Sequence, residues 1–321
     1  MKQQMKISIN EWNDSILKEL VKFTVPIWRE QNPNITEVRF ENWFKNLELD
    51  NPPLAILAKK KNELLGWIFL VFHNNSEAEI NPWALGGHPI ISLNHLKNTE
   101  IKKELILEAI KHAKNKGITR VDIHFRKEEG NVENHYDFYN SLDLRLIEEN
   151  CHMRQDVSKT KIEFDGFPEC LTQSTVKQVD QTELYKCYYE SFRNSDDRLM
   201  TDKTDEEMKD YFNTQIIKNH FPLIEDASVA LLKNNQVIAF AFVHQSHGDK
   251  NGQLWIMGVR PNFRRQGFGK GMLNHIKTTL IKQGFVSTSL NVDISNTSAY
   301  NLYLSQGYVK DWTLVNFAWT K

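Results

Sequence analysis

The second half of the chain repeats the order of elements found in the first half. Each half holds a hairpin pattern, in which a strand-like run and a polar turn are followed by a second apolar run. An amphipathic helical pattern then ends at a glycine, Gly117 or Gly284, where a helix favours a residue that tolerates positive φ. The paired hairpin runs are 55–60 with 66–72, and 229–233 with 237–244. This repetition predicts two copies of one α+β unit.

The repeat continues beyond the helices. A strand pattern follows each helix, at 120–125 in one copy and at 287–292 in the other. A short aromatic helix comes next, with Tyr139 in the first copy and Tyr303 at the corresponding place in the second. Matches that keep the same order are expected of a duplicated unit that has since acquired small insertions and deletions.

A boundary between the copies is also visible. A length of 321 residues favours two domains, and Gly166 and Pro168 interrupt the periodicity near the middle of the chain. We therefore predict a first domain at 1–157 and a second, catalytic domain at 168–321.

Charge and composition exclude several classes of protein. The chain has 40 Lys and Arg residues against 41 Asp and Glu, a formal net charge of −1, so we expect neither nucleic acid nor a membrane as partner. No apolar run approaches the ~20 residues of a membrane helix, and the first residues do not resemble a signal peptide. The three cysteines lie in no metal-binding spacing. We expect a soluble, cytoplasmic protein.

A glycine-rich loop joins strand 254–259 to a helix predicted to begin near Lys270. Gly267, Gly269 and Gly271 let backbone N–H groups approach an anion, and the helix start adds unpaired donors and the positive end of its dipole. Formal positive charge comes from Arg264, Arg265 and Lys270. The loop is thus predicted to hold a pyrophosphate.

The loop also allows other interpretations. Taken alone, a basic turn before a helix is also typical of a solvated loop. A Rossmann site is disfavoured because the glycines lack the G-x-G-x-x-G spacing, and no acidic residue follows at the ribose distance. The Walker A pattern is absent.

Two linked motifs carry a family resemblance. The R-x-x-G-x-G pattern at 264–269, after V-x-P at 259–261, resembles the acyl-CoA-binding motif of the GNAT (GCN5-related N-acetyltransferase) superfamily. The pattern N-x-x-A-x-x-x-Y-x-x-x-G-Y at 296–308 resembles that superfamily's second motif. The resemblance implies an α+β fold of two tandem GNAT units, each a mixed, mostly antiparallel sheet flanked by helices. The tandem architecture resembles that of mycothiol synthase-like proteins, with a degenerate N-terminal copy.

The resemblance also implies roles for individual residues. A splayed strand at 257–259 pairs with the pantetheine of acetyl-CoA, the amides of 265–270 bind the pyrophosphate, and the N–H of Val259 polarises the thioester carbonyl. The cofactor-binding residues implied are Met257, Gly258, Val259, Arg264, Arg265, Gln266, Gly267, Phe268, Gly269, Lys270, Asn296 and Tyr303.

Two catalytic groups are predicted. Tyr303 matches the tyrosine that in many family members protonates the leaving thiolate, a task that suits a phenol of pKa about 10. The alternative is that Tyr303 only packs, between Leu302 and Leu304. Strand 254–259 carries no carboxylate, so the nearest candidates for the base are Asp293, His244 and His247, of which we predict Asp293. Deprotonation through ordered water, or an acceptor of low pKa, would also explain the missing carboxylate.

The first copy lacks the glycine loop. Side chains, Ser92, His95 and Lys97, stand where the second copy has the arginine and the glycines. Tyr139 survives, but Asp143 and Leu144 replace the final glycine and tyrosine of the second motif. We therefore expect one catalytic site per chain.

The function predicted is an acetyl-CoA-dependent N-acetyltransferase acting on a primary amine of a small molecule or peptide. The alternative is a non-catalytic acyl-CoA sensor or scaffold. An acidic stretch at 202–210 indicates a cationic acceptor, or else a solvated helix face.

Overall fold

The computed structural model describes residues 5–30, 34–45, 52–81, 87–127, 132–158, 164–201, 203–246 and 250–321. By its contacts the chain divides into two compact units, one formed by residues 1–147 with 314–321 and the other by residues 148–313. The predicted boundaries, 1–157 and 168–321, concern the two copies of the sequence repeat and stay predictions.

The first unit begins with a strand and two helices that precede its hairpin. Its elements are β1 (Lys6–Glu11), α1 (Asp14–Arg29), α2 (Glu37–Lys45), β2 (Leu54–Lys60), β3 (Glu63–Phe72), β4 (Glu77–Ile80), β5 (Ile90–Ile91), α3 (Thr99–Asn115), β6 (Arg120–Lys127) and α4 (Val132–Asn140). The strands are ordered β1-β2-β3-β4-β6, with β4 and β6 parallel and the other pairs antiparallel.

The second unit has the same arrangement. After β7 (Arg145–Asp156), which enters it at Glu148, come β8 (Thr172–Thr175), α5 (Gln181–Phe192), α6 (Arg198–Thr201), α7 (Asp205–Tyr211) with a π-helical turn (Phe212–Ile217), β9 (Val229–Lys233), β10 (Gln236–Gln245), β11 (Asn251–Val259), α8 (Phe268–Lys282), β12 (Ser287–Asp293), α9 (Thr297–Ser305) and β13 (Val309–Thr320), which belongs to this unit up to Thr313. Its strands are ordered β7-β12-β11-β10-β9-β8, and only β11 and β12 are parallel.

The two hairpins share one turn conformation. Lys61 and Asn62 have φ of 50° and 68°, and Asn234 and Asn235 have φ of 50° and 62°. Two consecutive residues with positive φ form the tight turn that matches the twist of a hairpin, and asparagine tolerates this conformation.

The predicted α+β fold of two tandem GNAT units is confirmed.

Each sheet is covered on both faces. In the first unit, Leu105 of α3 shares a core with Ile68, while Leu20 of α1 shares another with Trp67, the next residue of β3. Alternation along the strand sends neighbouring side chains to opposite faces. The sequence therefore builds a helix–sheet–helix sandwich.

The second unit repeats this packing. Ala241 of β10 lies in a core with Leu273 of α8, and Phe240 lies in a core with Leu184 of α5. The two helical layers cover both faces of the sheet around β11. The edge of β11 that faces β12 is the part that shapes the site.

Within the described part of the chain, no helix is both long enough and apolar enough to cross a membrane.

Candidate active site

Strand β11 separates from its neighbour β12 part-way along its length. It pairs with β10 as far as Val259, but its pairing with β12 runs only from Asn251 to Leu254. Beyond that point β12 still continues to Asp293. The splayed strand pair implied by the resemblance is therefore present.

The free edge of β11 carries main-chain groups that face the gap. The N–H of Arg260 donates to the carbonyl of Ile238 on β10 at 2.9 Å. Since successive residues of a strand point their polar groups to opposite edges, Val259 and Met257 present theirs away from β10. An extended ligand lying in the gap could pair with these two residues.

The loop before α8 leaves the helix start open. Gly267 is the N-cap residue, with φ of +85°, and no side chain caps the helix. The first helical bond joins the N–H of Gly271 to the carbonyl of Gly267, so the N–H groups of 268–270 have no acceptor inside the helix. A Cβ built at Gly267 would meet nothing within 4 Å. Such an open helix start offers main-chain N–H donors to an anion.

The charged residues of the loop divide into two groups. Arg264 donates to the carbonyl of Ser191 at 2.8 Å and to that of Val259 at 3.2 Å, so it fixes the end of β11 against α5. Arg265 and Lys270 are exposed at the loop and supply its accessible positive charge. The amide of Gln266 is also exposed and donates to the carbonyl of Asn262 at 3.3 Å.

The remaining predicted binding residues of the loop region have packing roles. A Cβ on Gly258 would lie 2.9 Å from the Cβ of Ser191, and one on Gly269 would lie 3.0 Å from the side chain of Leu302. Phe268 is half-buried beside the core of the second unit. These glycines let α5 and α9 approach the ligand-binding elements closely.

A cavity of about 260 Å³ lies where β11 and β12 separate. Residues 253–257 of β11 and 290–293 of β12 form two of its walls, and Tyr303 and Asn296 form part of another. Its carboxylates are Glu148, Asp197 and Asp293. The described lining contains no lysine or arginine, so the cavity favours a cationic group.

Tyr303 is brought into this cavity as predicted. Its side chain is buried, and its ring meets the ring of Tyr308 edge-on at 5.9 Å between centroids. Burial, followed by the nearby Tyr308 and Asp197, raises the pKa of the Tyr303 phenol above its ordinary value, so the phenol keeps its proton at neutral pH. Leu304 is 44% exposed, so the helical turn around Tyr303 is not uniformly a packing surface.

Asp293 and Asn296 also lie in the cavity wall, and both organise the turn into α9. Oδ1 of Asp293 accepts from the N–H of Ser295 at 2.9 Å, and its carbonyl accepts from the N–H of Asn296. The side chain of Asn296 caps α9 by accepting from the N–H of Ala299. They set the position of the helix that carries Tyr303.

The two histidine candidates are not part of this cavity. His244 is buried, its Nδ1–H donates to the carbonyl of Phe221 at 2.9 Å, and burial lowers its pKa. It faces a separate cavity beside the end of β10. His247 lies outside the described residues.

Two carboxylates of the cavity were missed by the sequence analysis. Glu148 comes from β7, which the sequence assigns to the first copy, and Asp197 comes from the loop after α5. Both are near Tyr211, whose pKa is raised to about 12 by burial and then by Asp197 and Glu148. Only the order of the strands, which places β7 beside β12, could have revealed Glu148.

The first unit does not reproduce the open helix start. The side chain of Asn98 caps α3 by accepting from the N–H groups of Glu100 and Ile101, and Oγ of Ser92 lies 2.8 Å from Nδ1 of His95. The donors that would bind an anion are thus already used. Glu100 also places a negative charge in the first helical turn.

The tyrosine of this unit is also placed differently. Strand β4 pairs with β6 over four residues, as β11 does with β12, and residues 82–86, which follow β4, lie outside the described residues. Tyr139 is buried with its hydroxyl 2.8 Å from Nδ1 of His88, in a stack with Phe125. Burial, followed by His135 and Lys102, lowers the pKa of His88 to about 3, so His88 is neutral.

A buried acidic group on β4 is held by two histidines. Nε2 of His73 and Nδ1 of His124 each lie 3.0 Å from an oxygen of Glu79. Burial opposes ionisation of Glu79, but the hydrogen bonds from His124 and His73 outweigh it and lower the pKa of this carboxyl to about 2. The hydrogen bond from Glu79 raises the pKa of His73. This triad ties β3, β4 and β6 together.

The splayed strands, the open helix start and the buried tyrosine beside the gap fit the class of acyltransferases. The Acetyltransferase (GNAT) family profile matches residues 182–308, which make up most of the second unit. The [ribosomal protein bS18]-alanine N-acetyltransferase of Escherichia coli is 33% identical over 78 residues, which are 24% of this chain and 51% of that protein. The chain thus spans about half the length of the curated relatives it matches.

Solved structures extend the similarity of fold over both units. A GCN5-related N-acetyltransferase from Sphaerobacter thermophilus superposes with a TM-score of 0.62 at 13% identity, covering 98% of this chain and 95% of that one. A tandem GNAT protein from the clavulanic acid biosynthesis pathway gives a TM-score of 0.57 at 9% identity and covers 98% of both chains. At such identities the likeness concerns the fold alone.

Proposed function

We propose that the second unit transfers the acetyl group of acetyl-CoA to a primary amine, by direct attack of the amine on the thioester. The observation that carries the proposal is the gap between β11 and β12. It begins where the pairing of β11 with β12 ends and has Tyr303 in its wall.

The second unit has the groups needed to hold acetyl-CoA. The N–H groups of 265–270, with the positive end of the α8 dipole and the side chains of Arg265 and Lys270, suit the pyrophosphate. Met257 and Val259 offer main-chain partners for the pantetheine amides. The N–H of Val259 is the candidate donor to the thioester oxygen as negative charge develops there.

The acceptor is proposed to be a cationic amine of a small molecule or peptide. Its ammonium group would be attracted by the carboxylates Glu148, Asp197 and Asp293. The Escherichia coli relative is named for acting on an alanine of a ribosomal protein, so the amino terminus of a peptide is one acceptor to test.

The chemical step needs one proton donor and one proton acceptor. As the new N–C bond forms and the C–S bond breaks, Tyr303 gives its phenolic proton to the sulfur of CoA. A cavity carboxylate takes the proton that leaves the nitrogen, and Asp293 is the candidate from the sequence. Both groups then exchange protons with water, and no bond between protein and acetyl group is required.

The first unit is proposed to support the second without binding CoA itself. Its capped helix start and its occupied Tyr139 support this assignment. The domain boundaries 1–157 and 168–321 are part of the proposal.

The test incubates the full chain with acetyl-CoA and a panel of amines. Free CoA that is released is detected with a thiol reagent. The panel would contain 1,3-diaminopropane, spermidine and an alanine-terminated peptide. Amine-dependent release, and a product heavier by one acetyl group in mass spectrometry, are expected. One-to-one binding of acetyl-CoA without turnover of any amine would favour the alternative, a non-catalytic acyl-CoA sensor.

A further inference from the structure

The proposed transfer needs a proton acceptor that the sequence does not place on β11. A protonated amine first loses one proton to water, and the neutral amine that attacks loses a second as the N–C bond forms, so the group that takes this second proton must contact the acceptor. The carboxylates that line the cavity are Glu148, Asp197 and Asp293. Their surroundings differ enough to separate their roles.

Asp293 and Asp197 both accept hydrogen bonds from nearby main-chain N–H groups. Asp293 closes the turn into α9 through the N–H groups of Ser295 and Asn296. The carbonyl of Asp197 accepts from the N–H groups of Met200 and Thr201, and its Oδ1 lies 3.3 Å from the Met200 nitrogen. Each is a short side chain held near the start of a helix.

Glu148 is placed differently. It lies on β7 just beyond the pairing of Asn150 with Asp293, and the N–H of Ile294 continues this ladder by donating to the carbonyl of Glu149 at 3.0 Å. Because side chains alternate along a strand, Glu148 and Asn150 share the face that lines the cavity, whereas Glu149 faces the other way. Glu148 is only 9% exposed, and its side chain has one more methylene than an aspartate with which to reach an acceptor.

We infer that Glu148 is the catalytic residue that accepts the proton of the acceptor amine, an inference that rests on the proposed N-acetyltransferase activity. The N–H proton passes to the Glu148 carboxylate as the N–C bond forms. Tyr303 supplies the proton that the departing sulfur needs. The residue lies outside 182–308, the part of the chain that matches the family profile. The second unit therefore takes its base from a strand that precedes its profile-matched part in the sequence.

The experiment compares pH profiles of kcat/KM for acetyl-CoA with the three acceptors named above. Glu148→Gln should lower kcat/KM by about 10²- to 10⁴-fold, the range of general base catalysis, and should remove the fall in rate on the acid side of the profile. Glu148→Asp should keep that acid limb at a lower rate. Glu149→Gln is the matched control, with the same strand and the same 9% exposure but the opposite face, and should stay within about 3-fold of wild type.

Binding and folding measurements separate the outcomes. CoA affinity by calorimetry and the far-UV spectrum should be unchanged in all these variants. An acid limb retained in Glu148→Gln, or lost in Asp293→Asn instead, would overturn the inference while leaving the acetyltransferase intact. A wild type that binds CoA but acetylates none of the three amines would overturn the proposed function, and the inference with it.

Discussion

The two ends of α8 allow one sharp test of the anion site. Gly267 before the helix and Gly284 after it have φ of +85° and +78°, and a Cβ at either would meet nothing within 4 Å. An aspartate at either position therefore brings the same strain, about 1–2 kcal/mol, and no clash. The two substitutions differ only in which end of the helix receives the negative charge.

Of the two variants, Gly267→Asp should be the more stable one but should bind CoA more weakly. The helix dipole favours an anion at the start and disfavours one at the end by about 0.3–1 kcal/mol each, so Gly267→Asp should unfold at a higher temperature than Gly284→Asp. At the start, however, the carboxylate occupies the place of the pyrophosphate. Loss of two hydrogen bonds to a charged group, worth about 1.5–3 kcal/mol each, predicts a loss of CoA affinity of about 10²- to 10⁴-fold in Gly267→Asp alone.

Calorimetric titration with CoA and thermal unfolding of both variants provide the measurement. Wild-type affinity in Gly267→Asp would refute the assignment of the pyrophosphate site. Equal losses in both variants would show that strain in α8, and not the charge at its start, controls binding.

Three further predictions concern the tyrosine, the first unit and pH. Tyr303→Phe should lower kcat by about 10- to 10³-fold at saturating acetyl-CoA with little change in CoA affinity, because only the proton donor is lost; an unchanged kcat would leave Tyr303 as a packing residue. Calorimetry should give one CoA per chain, and Asn98→Ala, which frees the start of α3, should cost about 0.5–2 kcal/mol of stability without creating a second site. Glu79, whose folded pKa of about 2 lies below its unfolded value, should add stability that is fully present above about pH 4.5 and lost as the pH falls towards 2. In Glu79→Gln, urea titrations across that range should show this contribution removed, whereas an unchanged pH dependence would contradict it.

Sequence patterns were sufficient to predict those features of the fold that depend on residues close together in the chain. The hairpin turns, the glycines that end α3 and α8, and the register of Tyr303 on its helix depend on residues a few positions apart. The separation of β11 from β12 was expected only from the family resemblance, since no local pattern in either strand encodes where their pairing stops.

Glu148 illustrates what local patterns cannot supply. Its role depends on β7 lying antiparallel to β12, a pairing between residues more than a hundred positions apart in the chain. The family resemblance directed the search for a base to β11. Strand pairing across such a distance is set by the packing of the whole unit, and alternation within β7 alone could not say which of Glu148 and Glu149 would meet the cavity.

The difference between the two copies lies more in the backbone than in their catalytic side chains. The first copy keeps a tyrosine in register and even has a buried glutamate on β4, which the second copy lacks on β11. What it lacks among the described residues is an open helix start, because the side chain of Asn98 accepts from the first N–H groups of α3. An anion would have to displace this protein acceptor, and the exchange of one hydrogen bond for another brings little net gain. In the second copy no side chain caps α8, so an anion that binds the N–H groups of 268–270 displaces only water. The cap on α3 is therefore one reason to expect no CoA binding by the first unit.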